Sequence, residues 1–343
     1  MFSISLHKED IAAINAVVDE LAQRHDTVES AEFQRESRTY AEELPRRVRQ
    51  AINEYKLTER SGTLVISGLP VDDASLGPTP ADWKEKRTSS TTLRHDIAFF
   101  LVAALLGEPI GWATQQDGRV MHDIFPIKKY EHDQIGWGSA QDLTWHTEDA
   151  FHPLRTDYLG LMCLRNLEGV ETTVADVADV ELDPEVRALL SERRFFILPD
   201  DSHRPQNGVA AGTEHDERVA ELRERSLRAV ERALSDPEPI AVLFGDPHSP
   251  YVRVDPHYMR GAQGEVEQAA LEKFCSAVDS VLTGVVLKPG DIFFLDNYRV
   301  VHGRKPFRAR FDGTDRWLRR LNVTRDLRKS REFRLDGAAR VIY

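Results

Sequence analysis

The chain has 343 residues, of which 41% are hydrophobic, enough to bury a sizeable core and too apolar for a disordered polymer. With 45 Lys+Arg against 57 Asp+Glu the formal net charge is −12. Non-specific nucleic-acid binding is not expected, because the surplus of cations that would neutralise phosphates is missing. No apolar run nears the ~20 residues that span a bilayer, and the opening MFSISLHKEDIAAI carries no basic leader followed by an apolar segment and cleavage site. Cys163 and Cys275 each sit in an apolar stretch, which reads as two buried thiols in a reducing compartment. A cytoplasmic protein is expected.

Ile11, Ile14, Val18 and Leu21 recur at helical spacing and predict a first amphipathic helix. A second helical stretch is expected from Ala31 to Tyr55. A short strand follows at Thr63–Ser67, ended by Gly68 and Pro70, and then a helix from Thr91 to Leu106, stopped by Gly107 and Pro109. Beyond this the pattern changes to short apolar runs separated by turn residues. They begin at Val120, Leu143, Tyr158, Thr172, Phe195, Ile240, Tyr251, Asp291 and Trp317. Strands at this density predict an antiparallel sandwich or barrel. Helices interrupt it at Glu185–Arg193 and Glu265–Leu282. The polar, charged stretch 200–235 reads either as an active-site lid or as a solvated excursion. Without a convincing linker, residues 1–343 are expected to form a single domain. Its residues 1–90 should be mostly helical and residues 91–330 a β-sandwich core.

The chemistry gathers at His146-Thr-Glu148, with His302 far downstream. In a strand, residues i and i+2 point the same way, so His146 and Glu148 can reach one ion. Two imidazoles and one carboxylate leave the opposite face of an iron open to cosubstrate and O2. The dipeptide pattern alone is weak: 12 × 57/343 predicts about two His-x-Asp/Glu matches by composition, and there are three, at His7, His146 and His215. Only His146 lies in an aromatic, β-branched setting, Leu143-Thr-Trp-His-Thr. Arg316 enters an apolar strand fourteen residues after His302. A buried arginine needs a counter-charge, and a ligand carboxylate or an internal acid would both serve.

Three strings carry a family resemblance. Trp145-His-Thr-Glu-Asp-Ala-Phe-His-Pro-Leu-Arg, Asp157-Tyr-Leu-Gly-Leu-Met-Cys-Leu-Arg-Asn and Asp296-Asn-Tyr-Arg-Val-Val-His-Gly-Arg resemble the clavaminate-synthase-like, TauD-related branch of Fe(II)/2-oxoglutarate oxygenases. The bacterial hydroxylases of free lysine and arginine are the most similar in look. The resemblance covers about residues 100–325. It implies a double-stranded β-helix (jelly-roll, cupin-like) core with flanking helices, and Fe(II), 2-oxoglutarate and O2 as cofactor and cosubstrates. It implies that His146, Glu148 and His302 bind iron and that Arg316 binds the distal carboxylate of 2-oxoglutarate, with Thr172 or Thr173 hydrogen-bonding it. It places Arg320 on the amino acid's α-carboxylate and Gln115 or Gln116 on its amino group. Asp255 is the expected partner of a cationic side chain, with a turn carboxylate before Pro256 as the plain alternative. Halogenating relatives lack the carboxylate ligand, so the intact Glu148 implies hydroxylation, at C3 or C4. Lysine is the first expectation for the substrate and arginine the second. A non-catalytic, metal-stabilised β-sandwich binding protein is the rival from another class. A small amino acid is the expected partner, with homo-oligomerisation left open.

Overall fold

The computed structural model describes residues 1–85, 91–203 and 217–343. Two sheets face each other. Phe2–Ser5, Thr63–Ser67, Ile292–Asp296, Tyr158–Arg165, Trp317–Thr324, Glu108–Trp112 and Val341–Ile342 lie side by side in the larger one, and Met121–Ile124 also pairs with Trp317–Thr324. The smaller sheet runs Thr283–Val286, Glu171–Asp176, Val300–Arg304, Leu143–His146. All its pairings are antiparallel. The result is a sandwich, one of the two forms that the short, turn-bounded apolar runs predict, and it is of the jelly-roll kind that the family resemblance implies.

Helices cover the outer face of the larger sheet. Leu93–Leu106 is apolar nearly all round and almost wholly buried, as a helix sandwiched between a sheet and other helices must be. Phe99 and Phe100 are fully buried there, each worth about 1.5–3 kcal/mol of burial. Lys8–Arg24, Ala31–Ala41 and Arg46–Thr58 pack against it. The single helix expected over 31–55 is two helices, because Pro45 interrupts it. Proline offers no N–H and clashes with the preceding turn, so it stands before the second helix rather than inside a continuous one.

The expected strand at Phe195 is reduced to one bridge, Phe195 to Ile240. Pro199 and Pro239 flank the two segments, and proline cannot donate to a ladder. The Ile240 run becomes a strand only over Leu243–Asp246, in a hairpin with Ser249–Val252. In the stretch 200–235, the end is a helix, Glu217–Ser235, while 204–216 and the His215 match lie outside the described residues.

Candidate active site

His302 and His146 are direct cross-strand partners in the smaller sheet. A register shift between His302 and Arg304, which pair with His146 and Leu143, marks a bulge beside the site. Such bulges re-aim side chains at strand ends. The chain then leaves the strand at Thr147, whose backbone N–H and hydroxyl both donate to Val254 O. That crossing brings Asp255 close to His146. After Glu148 the backbone turns sharply: Asp149 takes a positive φ of 49°, a left-handed conformation that costs a non-glycine residue about 1–2 kcal/mol. The surroundings hold it there. Asp149 accepts from Trp112 Nε1 at 2.6 Å and pairs with His203 Nε2 at 2.8 Å.

Glu148 is clamped from behind. Its N–H donates to Asn297 Oδ1 at 2.6 Å, and Asn297 Nδ2 donates to Glu148 O at 3.0 Å and Thr156 O at 2.9 Å. Arg320 Nη1 donates to Glu148 Oε1 at 2.6 Å, leaving Oε2 towards His302 Nε2 at 3.3 Å and His146 Nε2 at 3.8 Å. His146 Nδ1 lies 2.8 Å from Thr144 O, which fixes its proton on Nδ1 and turns Nε2 inward. The three ligand atoms lie within 4.8 Å of one another. Two nitrogens and one carboxylate oxygen, converging and oriented from behind, fit a divalent iron with free positions.

The electrostatics agree with a cation site. Burial opposes charge on His146, but its contact with Glu148 and the Asp255 charge outweigh it and lift its pKa to about 9. Burial and the neighbouring His146 push His302 down. Burial works against the Glu148 carboxylate too, yet Arg320 and the two imidazoles hold it well below the usual carboxylate range. His146 therefore carries a proton at neutral pH that a metal must displace. Binding should release about one proton per metal at pH 7, and apparent affinity should fall about tenfold per pH unit below 9. Calorimetric titration of Mn(II) in buffers of differing ionisation enthalpy counts that proton. A count of zero would mean that His146 is neutral in the free protein.

The triad opens into a cavity of about 1080 Å³, including its solvent-filled mouth, between the two sheets. Arg316, Leu318 and Arg320 alternate onto its wall from the larger sheet, and Thr172, His302 and Arg304 from the smaller. Arg316 is buried; among the described residues its Nε has no partner, and its side chain donates from Nη2 to Thr172 Oγ1 at 3.1 Å. No described carboxylate makes an ion pair with it, and burial lowers its pKa to about 10. The internal acid that would have explained Arg316 structurally is missing among the described residues.

Thr172 faces the cavity, whereas Thr173 points away and packs against Gly303. Gln115 and Gln116 both line the cavity but differ in what their amides hold. Gln115 Oε1 accepts from Arg320 Nη2 at 2.8 Å inside the cavity. The Gln116 amide is used up by Asp123, with Nε2 donating to Asp123 O and Oε1 accepting from Asp123 N. Gln116, Asp117 and Gly118 all have positive φ, a strained turn of the kind that clusters at binding sites. Gln116 lines the cavity with its amide held by the Asp123 backbone, and Thr173 is not on the cavity wall.

Asp255 is the turn carboxylate before Pro256 and also lines the cavity. Its Oδ1 caps the short helix Pro256–Met259, accepting from His257 N and Tyr258 N at 3.1 Å each, while the residue remains on the cavity wall. Burial raises its pKa. Asp200, His257 and Tyr258 line the same region. The sequence reading missed Asp200, Asn297 and the Asp149–His203 pair. Asn297 stands inside a quoted string, but its contact with Glu148 spans 149 residues and has no local signal. Cys163 and Cys275 are both free, and burial pushes both thiols up to about 12.

A jelly roll with a His146/Glu148/His302 triad at the mouth of a cavity between its sheets defines a non-heme iron oxygenase. The family model "Taurine catabolism dioxygenase TauD, TfdA family" matches residues 40–322. The chain belongs to this family of Fe(II)/2-oxoglutarate-dependent enzymes. It is 66% identical, over the whole of both chains, to the enduracididine beta-hydroxylase of Streptomyces hygroscopicus. It is 43% identical, again over both whole chains, to an L-ornithine/L-arginine 3-hydroxylase of Catenulispora acidiphila. The non-heme iron oxygenase OrfP, solved with Fe, succinate and (3S)-hydroxy-L-Arg, superposes with a TM-score of 0.92 at 40% identity, covering 100% of each chain. The non-catalytic alternative is set aside on these grounds.

Proposed function

We propose that the protein hydroxylates C3 of a free L-amino acid bearing a guanidino group, L-arginine or a cyclic guanidine such as enduracididine. Lysine, the first expectation, gives way: the L-lysine 3-hydroxylase of Catenulispora acidiphila is 30% identical, against 66% and 43% for the enduracididine and ornithine/arginine enzymes. The carrying observation is the sorting of charge around the triad. Arg316 stands at one end of the cavity, Arg320 beside Glu148, and Asp255 and Asp200 on the wall next to His146.

In this scheme His146, Glu148 and His302 hold Fe(II), which when bound supplies the O2-dependent decarboxylation of 2-oxoglutarate and the coupled hydroxylation. Arg316 and Thr172 bind the distal carboxylate of the cosubstrate. Arg320 takes the α-carboxylate of the amino acid beside the Glu148 it already orients, and Gln115 takes the amino group. Asp255 receives the guanidinium with its second oxygen. With Oδ1 engaged in the helix cap, that remaining oxygen accepts a charge-assisted hydrogen bond from the guanidinium. Leu159, Leu161, Leu318 and Trp137 form apolar wall around these groups, keeping water from the reacting carbon.

Citrulline has the shape of arginine without its charge. Its kcat/KM should be lower by about 2–3 kcal/mol, or roughly 30- to 150-fold, the cost of leaving a buried charged acceptor poorly met. Asp255→Asn should close most of that gap by lowering arginine turnover. Competition between arginine, lysine and citrulline, read by mass spectrometry, checks both. Lysine or citrulline competing equally with arginine would refute the guanidino assignment while leaving the iron chemistry in place.

A further inference from the structure

Arg304 is buried in the same cavity as Arg316, and the scheme above gives it no task. It follows His302 by two residues on one strand, so both side chains face the cavity. Across the ladder its partner is Thr172, whose hydroxyl accepts from Arg316 Nη2 at 3.1 Å. Thr172 thus neighbours Arg304 across the ladder and holds Arg316 through its hydroxyl, and the two arginines are close enough to repel. The Arg304 group lies 5.2 Å from the Phe307 ring centre. Its hydrogen bonds are long and neutral: Nη1 to Ser139 O at 3.3 Å and Nη2 to Gln141 O at 3.4 Å, with Nε buried and unpartnered.

No described carboxylate comes within the 4.0 Å of an ion pair with either arginine. Arg304 and Arg316 repel each other in the buried cavity, and Asp142, beyond ion-pair distance, offsets only part of the charge on Arg304; such a pair is costly unless an anion joins it. One carboxylate has two oxygens and about four lone-pair directions, enough to satisfy both guanidinium groups and the hydroxyl together.

We propose that Arg304 is a second cosubstrate-binding residue, forming with Arg316 and Thr172 a two-arginine clamp on the distal carboxylate and setting the preference for a dicarboxylic oxo acid. This rests on the reading that the Arg316 end of the cavity receives 2-oxoglutarate. In the ordinary course Arg316 alone would hold that group; here the charge would be shared. The clamp predicts that losing either arginine weakens binding of the dicarboxylate, while an oxo acid lacking the distal carboxylate is indifferent to the loss.

The test is anaerobic calorimetry of the Fe(II)-loaded enzyme with 2-oxoglutarate and with 2-oxopentanoate, which has the same chain without the distal carboxylate. Arg304→Gln should raise the 2-oxoglutarate Kd about tenfold or more, as expected for a lost charge-assisted hydrogen bond, and leave the 2-oxopentanoate Kd unchanged. Arg304→Lys, which keeps the charge but not the fork, should fall between, and it carries the test if the glutamine variant does not fold. A folded variant with an unchanged Kd ratio overturns the clamp, as does equal weakening of both ligands together with a lowered Tm. Wild-type enzyme that binds no 2-oxoglutarate overturns the underlying cosubstrate reading as well. An intact wild type with an indifferent variant removes Arg304 alone.

Discussion

Arg316→Met should raise the 2-oxoglutarate concentration needed for half-maximal turnover by about two to nearly four orders of magnitude. A buried carboxylate would lose its charge-assisted pair, a truncation that costs about 3–5 kcal/mol in comparable settings. Methionine preserves much of the apolar stem. Among the described residues the Arg316 side chain has Thr172 alone as a hydrogen-bond partner and no carboxylate in ion-pair reach, so removing it relieves a buried charge without a described counter-ion. The Tm should therefore hold or rise while cosubstrate affinity collapses. A purely structural arginine predicts the reverse: a lower Tm and an unchanged 2-oxoglutarate KM. Steady-state kinetics beside a melting curve separates the two.

His302→Ala should abolish amino-acid-dependent succinate formation and retained iron. His302 supplies one of three ligand atoms, and its ring centre lies 4.6 Å from that of His146. Two remaining ligands leave a site with far weaker hold on a divalent ion, and activity should drop to below about 1% of wild type. A core histidine with no metal to hold would instead lose stability and keep its metal content. Iron content by atomic absorption, read against far-UV circular dichroism, tells these outcomes apart.

The metal triad was legible because two short-range rules converge on it. Alternation puts His146 and Glu148 on one side of a strand end, and His302 sits in a string specific enough to carry a family resemblance. Arg316 was legible as a cation in an apolar strand, and its lack of an internal acid follows only from the packing. Thr172 could not be told from Thr173, because alternation gives a period without a phase. The phase is set by pairing with Val300–Arg304, which puts Thr172 opposite Arg304 and Thr173 opposite Gly303. Gln115 and Gln116 were inseparable for a similar reason: the left-handed turn at 116–118 turns one amide into the cavity and the other to the Asp123 backbone. Asp200 and Asn297 reach the site through tertiary contacts and leave no periodic trace. The helix break at Pro45, by contrast, was written in the residue itself.

Charge placement also explains why lysine and arginine both stood as substrate expectations, with the relatives favouring the second. An acid on the cavity wall predicts a cationic side chain, and both lysine and arginine answer to it. The proposed preference for arginine rests on the relatives, because an acid with one oxygen held by a helix cap answers either cation.

The most direct test of the whole account is to measure hydroxylated amino acid and succinate in one reaction, by mass spectrometry, with Fe(II), 2-oxoglutarate, O2 and L-arginine. The predicted result is arginine gaining one oxygen at C3, with about one succinate formed per hydroxyl, as coupled turnover requires. Succinate release that ignores the amino acid, with no oxygenated product from any guanidino amino acid, would contradict it.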